Sequence, residues 1–307
     1  MSFVGLVKIG CRCANAIFTM VVTSVFGVPH VYDFTPNLFS TTASHRSVLV
    51  CIHGWLLSRA YWQPLMQQLA PDIACLAYDL RGFGDSTQQL CDRCAATADY
   101  GLAAYAHDLN ALLETLELEH VWLMGHSLGG SIALWAAHLF PERIQGVICV
   151  NAGGGIYIRN AFEKFRSAGQ QMVGWRPQWL QHLPLLPWVF AHIMVRKTLS
   201  YQWGRQRLID FLRADPDAAM QSLLASTTED EVHQLPQIVS QLSQPVYFVT
   251  GEQDMVMEPR YVMHLASFHH FFHRGKPAVI KLEQCGHFAM LEQPLALETQ
   301  VRQWLLG

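Results

Sequence analysis

Charged residues are scarce in this chain of 307 residues, where Asp, Glu, Lys and Arg together make up 15% of the sequence. An average soluble protein has about 25%. Apolar residues account for 51% and the mean hydropathy is slightly positive, at +0.15, which excludes disorder, coiled coil and collagen as descriptions of the whole chain. The formal net charge of −3 gives no concentrated basic character, so we predict no nucleic-acid partner.

Cysteine is too sparse for a disulfide-stapled secreted domain, since the chain has eight cysteines in 307 residues. Reduced thiols in the cytoplasm are therefore expected. Cys91 and Cys94 have the C-x-x-C spacing of half a zinc site or of a redox pair, but no second pair with matching spacing follows. We interpret them as two unrelated loop cysteines and predict no metal.

The first 32 residues contain no acid and no apolar run long enough to span a membrane. The stretch from Ala14 to Val28 falls short of the about 20 residues of a spanning helix, and polar residues such as Asn15 and Ser24 interrupt it. Its length suits a signal sequence, but no clear cleavage site follows. We predict an apolar N-terminal arm over residues 1–32 that packs either on the protein body or on a membrane surface.

Short apolar or β-branched runs alternate with helical periods from Ser47 onward, which is typical of a parallel sheet covered by helices. The predicted strands are 47–52, 73–78, 121–124, 147–150, 246–250 and 278–282. The predicted helices between and after them are 61–69, 100–116, 128–140 and 295–306. The fold class that follows is α/β, a mostly parallel central sheet with helices on both faces.

The alternation stops between Gly153 and Ser243, a stretch far longer than a normal crossover needs. We predict a helical cap inserted at 153–243 into an α/β core made of residues 33–152 and 244–307. Helical patterns within the cap cover 158–172, 186–197, 201–212 and 217–226, and the cap holds four of the nine tryptophans.

The cap is also the basic part of the chain. Between Ile158 and Arg213 there are nine Lys or Arg residues and two acids, a charge of +7 within a chain of −3. Basic residues on amphipathic helices are commonly a solvated face, and an anionic membrane surface would also attract them. The second interpretation predicts peripheral contact of a cytoplasmic protein with an anionic membrane.

A candidate nucleophile lies where a predicted strand runs into a predicted helix. The sequence there is Gly125-His126-Ser127-Leu128-Gly129, the G-x-S-x-G pattern in its strand, turn and helix context. Glycine is needed at both ends because larger side chains would clash with the neighbouring strand and helix in so sharp a turn. Ser127 would then project its hydroxyl beside a helix N-terminus, and the N–H of Leu128 would supply one oxyanion-hole donor.

A serine nucleophile needs a base and a carboxylate to orient that base. His287 follows the predicted strand 278–282, and Asp254 follows the predicted strand 246–250, so both belong to the same edge of the sheet. Asn151 stands at a rival position for the acid, which favours Asp254. The chain order Ser, Asp, His is that of the α/β-hydrolases.

From about Val31 the chain resembles members of the α/β-hydrolase fold superfamily. The resemblance rests on five motifs in order: His53 to Trp55, Asp79 to Ser86, Gly125 to Gly130, Gly251 to Asp254, and Gly286 to Pro294. It implies that the second oxyanion donor is the N–H of Trp55, next to Gly54. The apolar arm and the long Trp-rich insertion at the usual cap position depart from the common pattern.

The remaining histidines are given other roles. His53 and His126 are expected to orient loops, whereas His269, His270 and His273 form a polar cluster whose spacing matches no usual zinc site. Asp79 and Asp85 are expected to stabilise the loop between them.

These residues predict a serine hydrolase without a cofactor that cleaves a small hydrophobic carboxylic ester through an acyl-enzyme. A cofactor-free perhydrolase or haloperoxidase-like activity and hydrolysis of an amide or C–C bond remain alternatives. A non-catalytic ligand receptor on the same fold is an alternative of another class. The resemblance disfavours epoxide hydrolases and haloalkane dehalogenases, because those enzymes have an aspartate where this chain has Ser127.

Overall fold

The computed structural model describes residues 19–35, 48–87, 99–155, 159–272 and 278–307. Its centre is an eight-stranded sheet in the order β1-β2-β4-β3-β5-β6-β7-β8. The strands are β1 Thr19–Val25, β2 Val28–Phe34, β3 Val48–Ile52, β4 Ala74–Tyr78, β5 Val121–His126, β6 Ile144–Val150, β7 Val246–Gly251 and β8 Val279–Leu282. β2 pairs antiparallel with β1 and β4, and every pair from β4 to β8 is parallel. The predicted α/β fold class is confirmed.

Helices α1 Gln63–Leu69, α2 Leu102–Thr115, α3 Leu128–Leu139, α9 Pro259–Ala266, α10 Ala289–Glu292 and α11 Pro294–Leu306 accompany the strands. The five helices between β6 and β7 are α4 Arg159–Gly174, α5 Leu186–His192, α6 Tyr201–Arg213, α7 Pro216–Ser226 and α8 Glu229–Gln241. They lie within the range that we assigned to the cap. The last of them, α8, packs on α3 of the sheet layer.

Successive residues of a buried parallel strand enter different helix layers because side chains alternate between the two faces. In β3, Val50 and Ile52 join the apolar cluster on one face, whereas Leu49 and Cys51 join the cluster on the other. All five residues of β3 are buried. Such central strands read as continuous apolar runs, which is why the sequence predicts them.

The second half of the predicted N-terminal arm is described by the structure. Residues 19–32 belong to the sheet, where β1 and β2 form a hairpin that joins its edge through β4. Val21, Val25, Val28 and Val31 are buried there, so this part packs on the body. The sequence suggested no strands because the polar residues Thr23 and Ser24 read as interruptions of an apolar run. Residues 1–18, and with them the first half of the arm, lie outside the described residues.

None of the helices in the described ranges has the length and hydrophobicity that a membrane span requires. Four cysteines of the described part, Cys51, Cys75, Cys149 and Cys285, are buried and free. Cys91 and Cys94 lie outside the described residues.

Candidate active site

Ser127 stands at the turn between β5 and α3 in a backbone conformation that non-glycine residues rarely adopt, with φ of 51° and ψ of −117°. Its neighbours leave no room for a larger residue. A Cβ atom on Gly125 would lie 2.1 Å from the carbonyl oxygen of Gly129, and one on Gly129 would lie 2.4 Å from that of Ile52. The two glycines therefore permit the strained turn that places Ser127 at the N-terminus of α3.

His287 and Asp254 meet at the carboxyl edge of the sheet, as the strand order predicts. The Nδ1 atom of His287 lies 2.8 Å from Oδ2 of Asp254, which is 3% exposed. The other oxygen of Asp254 accepts the N–H groups of Val256 and Met257 at 2.9 and 3.0 Å. Burial by itself would raise the pKa of Asp254, but the facing His287 and these hydrogen bonds bring it below its ordinary value. Asp254 is therefore an anion at neutral pH.

Asn151, which sequence reasoning treated only as a rejected acid position, is part of this arrangement. Its Nδ2 donates to Oδ2 of Asp254 at 2.8 Å and to the carbonyl oxygen of Gly286 at 3.1 Å. The residue is buried and has a positive φ of 50°. Asparagine here supplies a donor to the carboxylate, where an aspartate would supply repulsion.

A second buried carboxylate, Glu292, holds the loop that carries His287. Its oxygens accept the N–H groups of Gly286 and Phe288 at 3.0 to 3.1 Å, and those of Arg196 and Lys197 in the cap at 2.7 and 3.0 Å. The backbone N–H of His287 itself donates to the carbonyl oxygen of Met194 at 2.9 Å. The cap segment 194–197 is thus tied directly to the histidine loop. The position of Glu292 in the Gly286 to Pro294 motif was the only sequence signal for this role.

His53 and His126 contact backbone. Nε2 of His53 accepts the N–H of Leu80 at 2.9 Å, and its Nδ1 donates to the Gly54 carbonyl at 2.8 Å. Nε2 of His126 donates to the carbonyl oxygen of His287 at 2.7 Å. Burial lowers the pKa of His53 to about 4, and burial followed by the charge of His287 lowers that of His126 to about 3. Both rings are neutral at physiological pH and hold loops together.

Ser127 lines two neighbouring cavities, which we call the larger and the smaller lobe. The larger lobe, of about 280 Å³, is lined by Ser127, His287, His126 and Trp55 together with apolar side chains of the cap. The smaller, of about 80 Å³, is lined by Ser127, Trp55, Leu128 and the glycines 153–155. The indole N–H of Trp55 donates to the Ala219 carbonyl at 2.9 Å, which fixes this wall against the cap.

Arg207 also lines the larger lobe, although it is 6% exposed. It donates to the carbonyl oxygens of Phe190 and Ile193, where α5 ends, and its guanidinium lies 4.2 Å from the centre of the Phe288 ring. Burial lowers its pKa to about 10. The guanidinium of Arg207 is therefore hydrogen-bonded to carbonyl groups at the C-terminal end of α5.

Asp79 is buried away from this cavity and pairs with Arg59, which also contacts Asp33 and Asp85. Within the described ranges, no three His, Cys, Asp or Glu side chains are grouped so that they could hold a metal. His269 and His270 are described and His273 is not.

Comparisons with known proteins agree with this architecture. The sequence pattern of the α/β hydrolase fold matches residues 47–192. An uncharacterized protein of Mycobacterium tuberculosis is 30% identical over 266 residues, which cover 82% of this chain and 73% of that protein. The 2-succinyl-6-hydroxy-2,4-cyclohexadiene-1-carboxylate synthase of Serratia proteamaculans is 27% identical over 279 residues, which cover 85% of this chain and 94% of that protein.

Among solved structures, a thermophilic esterase from Thermogutta terrifontis shares the fold with a TM-score of 0.68 and 19% identity, over 95% of this chain and 98% of that one. At this identity the likeness concerns the fold alone. Other sequence relatives are named as a pimeloyl-[acyl-carrier protein] methyl ester esterase of Aliivibrio salmonicida and a carbamate hydrolase of Pseudomonas syringae, and these names support a hydrolase activity. Together, the matched pattern and the relative that is 30% identical show that the chain belongs to the α/β-hydrolase fold family.

Proposed function

We propose that the protein is a serine hydrolase that cleaves a hydrophobic carboxylic ester through an acyl-enzyme, with Ser127, His287 and Asp254 as the catalytic residues. The observation that carries the proposal is the cavity that Ser127 and His287 line together, with Asp254 hydrogen-bonded behind the imidazole. Because Asp254 occupies Nδ1 of His287, the Nε2 atom is left as the proton acceptor for the serine.

The reaction that this arrangement supports has two halves. Oγ of Ser127 attacks the ester carbonyl carbon while Nε2 of His287 takes its proton, and the N–H groups of Leu128 and Trp55 stabilise the negative oxygen. The ester C–O bond then breaks, and the alcohol leaves with the proton from His287. A water molecule activated by His287 hydrolyses the acyl-serine in the same way, which releases the acid and restores Ser127.

The lining of the cavity favours an apolar substrate. Phe165, Phe190 and Phe211 of the cap face the larger lobe together with Met172 and Ile193. Such walls exclude water and strengthen the electrostatic interactions at the serine. The buried charge nearby, Arg207, is engaged by backbone carbonyls and the Phe288 ring.

The two lobes suggest how the ester is placed. The departing alcohol must receive its proton from His287, and His287 lines the larger lobe, whereas Leu128 lines the smaller one. We therefore assign the alcohol to the larger lobe, of about 280 Å³, and the acyl group to the smaller lobe, of about 80 Å³. A short acid joined to a long apolar alcohol is the substrate that fits.

The nucleophile is tested with Ser127→Ala. We expect ester turnover to vanish with the fold intact, because Ser127 is half-buried and lines a cavity, so the loss of its hydroxyl leaves almost no new void. Removal of a triad residue costs about 10⁶ in rate in other serine hydrolases. A fluorophosphonate probe should label the parent protein and leave the variant unlabelled. A parent that takes no label would instead favour the ligand receptor, and a variant that keeps most of its activity would contradict the assignment of the nucleophile.

The assignment of the lobes is tested with two isomeric esters, octyl acetate and methyl nonanoate. We expect kcat/KM to be larger for octyl acetate by about tenfold or more, since each misplaced methylene group in a closed pocket costs of the order of 1 kcal/mol. The opposite order of the two esters would reverse the assignment of the lobes while leaving the nucleophile unaffected.

A further inference from the structure

The outer surface of the cap is strongly apolar. Of the fifteen large apolar side chains that are exposed in the described part of the chain, ten lie between residues 172 and 201. We call the outermost of these the cap apolar surface, which consists of Trp175, Trp179, Leu183, Leu185, Trp188 and Val189, each between 41% and 74% exposed. Single exposed apolar residues are ordinary, but a cluster of this kind indicates a surface that contacts a protein, a membrane or a ligand.

The segment that carries this surface is basic, and an acid close to its start in the structure is Asp217, which lines a surface hollow with Gly174, Arg176 and Gln178. No Asp or Glu occurs from residue 164 to residue 209, while Lys164, Arg196, Lys197 and Arg205 are exposed. Among the other basic residues of the cap, Arg166, Arg176 and Arg207 donate to backbone carbonyls, and Arg213 pairs with Asp85. Exposed aromatic side chains on a segment whose exposed charges are cations complement the interfacial region of an anionic bilayer.

The cap apolar surface leads to the cavity. Met172, Ile193 and Met194 are each 36% to 41% exposed, and all three also line the larger lobe that contains Ser127 and His287. Apolar side chains therefore connect the outside of the cap with the catalytic serine. A surface that merely associated with another protein would have no need of this connection.

We propose that the cap apolar surface docks on an anionic lipid bilayer and receives apolar substrate directly from it. Trp175 and Trp179 would enter the headgroup region, where an indole buries its ring and keeps its N–H hydrated, and Arg196 and Lys197 would contact lipid phosphate. The route from bilayer to serine rests on the proposed function, whereas docking itself does not depend on catalysis.

The test is co-sedimentation of the full-length protein with vesicles of phosphatidylcholine alone and with vesicles that also contain phosphatidylglycerol. We expect salt-sensitive binding to the anionic vesicles, and the same binding by Ser127→Ala. The double variant Trp175→Ser/Trp179→Ser should bind both kinds of vesicle about tenfold or more weakly, because it removes two exposed indoles from the contact. Arg196→Gln/Lys197→Gln should lose only the preference for anionic lipid, since the contact of these residues with Glu292 uses backbone N–H groups.

Matched controls come from exposed residues elsewhere on the chain. Leu295→Ser/Leu306→Ser removes two exposed apolar side chains and Lys281→Gln removes one exposed charge, and both variants should bind as the parent does. Absence of vesicle binding by the parent would overturn the proposal, as would equal losses in the leucine control. So would full binding by the tryptophan variant together with loss of binding when residues 2–18 are deleted. Self-association that the tryptophan variant abolishes, without vesicle binding, would assign the surface to a second copy of the chain instead.

Discussion

Asp254 is surrounded by four hydrogen-bond donors: the N–H groups of Val256 and Met257, the amide of Asn151 and the imidazole of His287. Each oxygen of Asp254 faces two of these donors, so both oxygens must accept hydrogen bonds, and a carboxylate allows this. The side chain is thereby fixed in one rotamer before substrate arrives. A neutral amide at this position would have to turn its NH2 group toward one pair of donors, and the tautomer of His287 would no longer be defined.

We therefore expect Asp254→Asn to reduce kcat/KM by roughly 10⁴, as loss of the orienting carboxylate does in other triads. Steady-state turnover of a short-chain ester measures the effect, and circular dichroism checks that the variant is folded. An activity equal to that of the parent protein would rule out the triad as drawn.

Asp79→Asn is the control for this substitution. It breaks the buried pair with Arg59, so it should lower the free energy of unfolding by about 3 to 5 kcal/mol and leave the turnover of the folded fraction near that of the parent. A urea titration separates the two kinds of effect.

The sequence indicates the candidate site residues at strand ends more clearly than it indicates the residues that hold them in place by hydrogen bonds. Ser127, Asp254 and His287 lie near the ends of strands that read as continuous apolar runs, so the parallel sheet brings them to one edge. Asn151 also follows a predicted strand, but its contact with Asp254 depends on a positive φ that the sequence does not indicate. Glu292 meets cap residues about 95 positions away, and no local pattern encodes a contact of that kind.

Among the structural elements, the segment from Cys285 to Glu292, which consists of the His287 loop and α10, is held by hydrogen bonds on two sides. Glu292 binds the loop N–H groups of Gly286 and Phe288 and the cap N–H groups of Arg196 and Lys197 with one carboxylate. Hydrogen bonds of backbone N–H groups to a charged acceptor are stronger than those to a neutral one. This carboxylate is a positioning group for His287.

Glu292→Gln keeps the volume of the side chain but directs an NH2 group at N–H donors. We expect the rate of fluorophosphonate labelling to fall by about tenfold, since roughly 1 to 3 kcal/mol of satisfied hydrogen bonding is lost at the histidine loop. The exposed Glu283, which lies just before this segment, provides the control Glu283→Gln, which should label at the parental rate. If Glu292→Gln labels at the parental rate with a lowered melting temperature, the residue is structural alone.

At the scale of the whole molecule, the hairpin of β1 and β2 closes the edge of the sheet next to β4. Besides its buried valines it supplies Asp33, which pairs with Arg59 and accepts from Gln63 of α1. Burial of a valine side chain stabilises the folded state by about 1.5 to 3 kcal/mol. The four valines together therefore contribute an amount comparable to the free energy of unfolding of a typical domain, which is about 5 to 15 kcal/mol. The hairpin is part of the folded body and no separable anchor.

Two deletions test this. Removal of residues 2–18 retains every described strand, whereas removal of residues 2–34 takes away the hairpin. We expect the longer deletion to yield insoluble protein or to unfold at a much lower urea concentration than the shorter one, because the β4 edge and Arg59 lose their partners. Equal urea midpoints for the two would show that the hairpin contributes nothing to stability.

The hydrogen bond from the backbone N–H of His287 to the carbonyl oxygen of Met194 couples movement of the cap to the position of His287. If the cap lifted at residues 194–197, it would pull on the backbone N–H of His287 and on the Glu292 carboxylate together, and the imidazole would leave its place beside Asp254. In the proposed mechanism, opening on that side would therefore interrupt proton transfer by His287. His287 would be placed to accept the proton of Ser127 only while residues 194–197 keep these contacts.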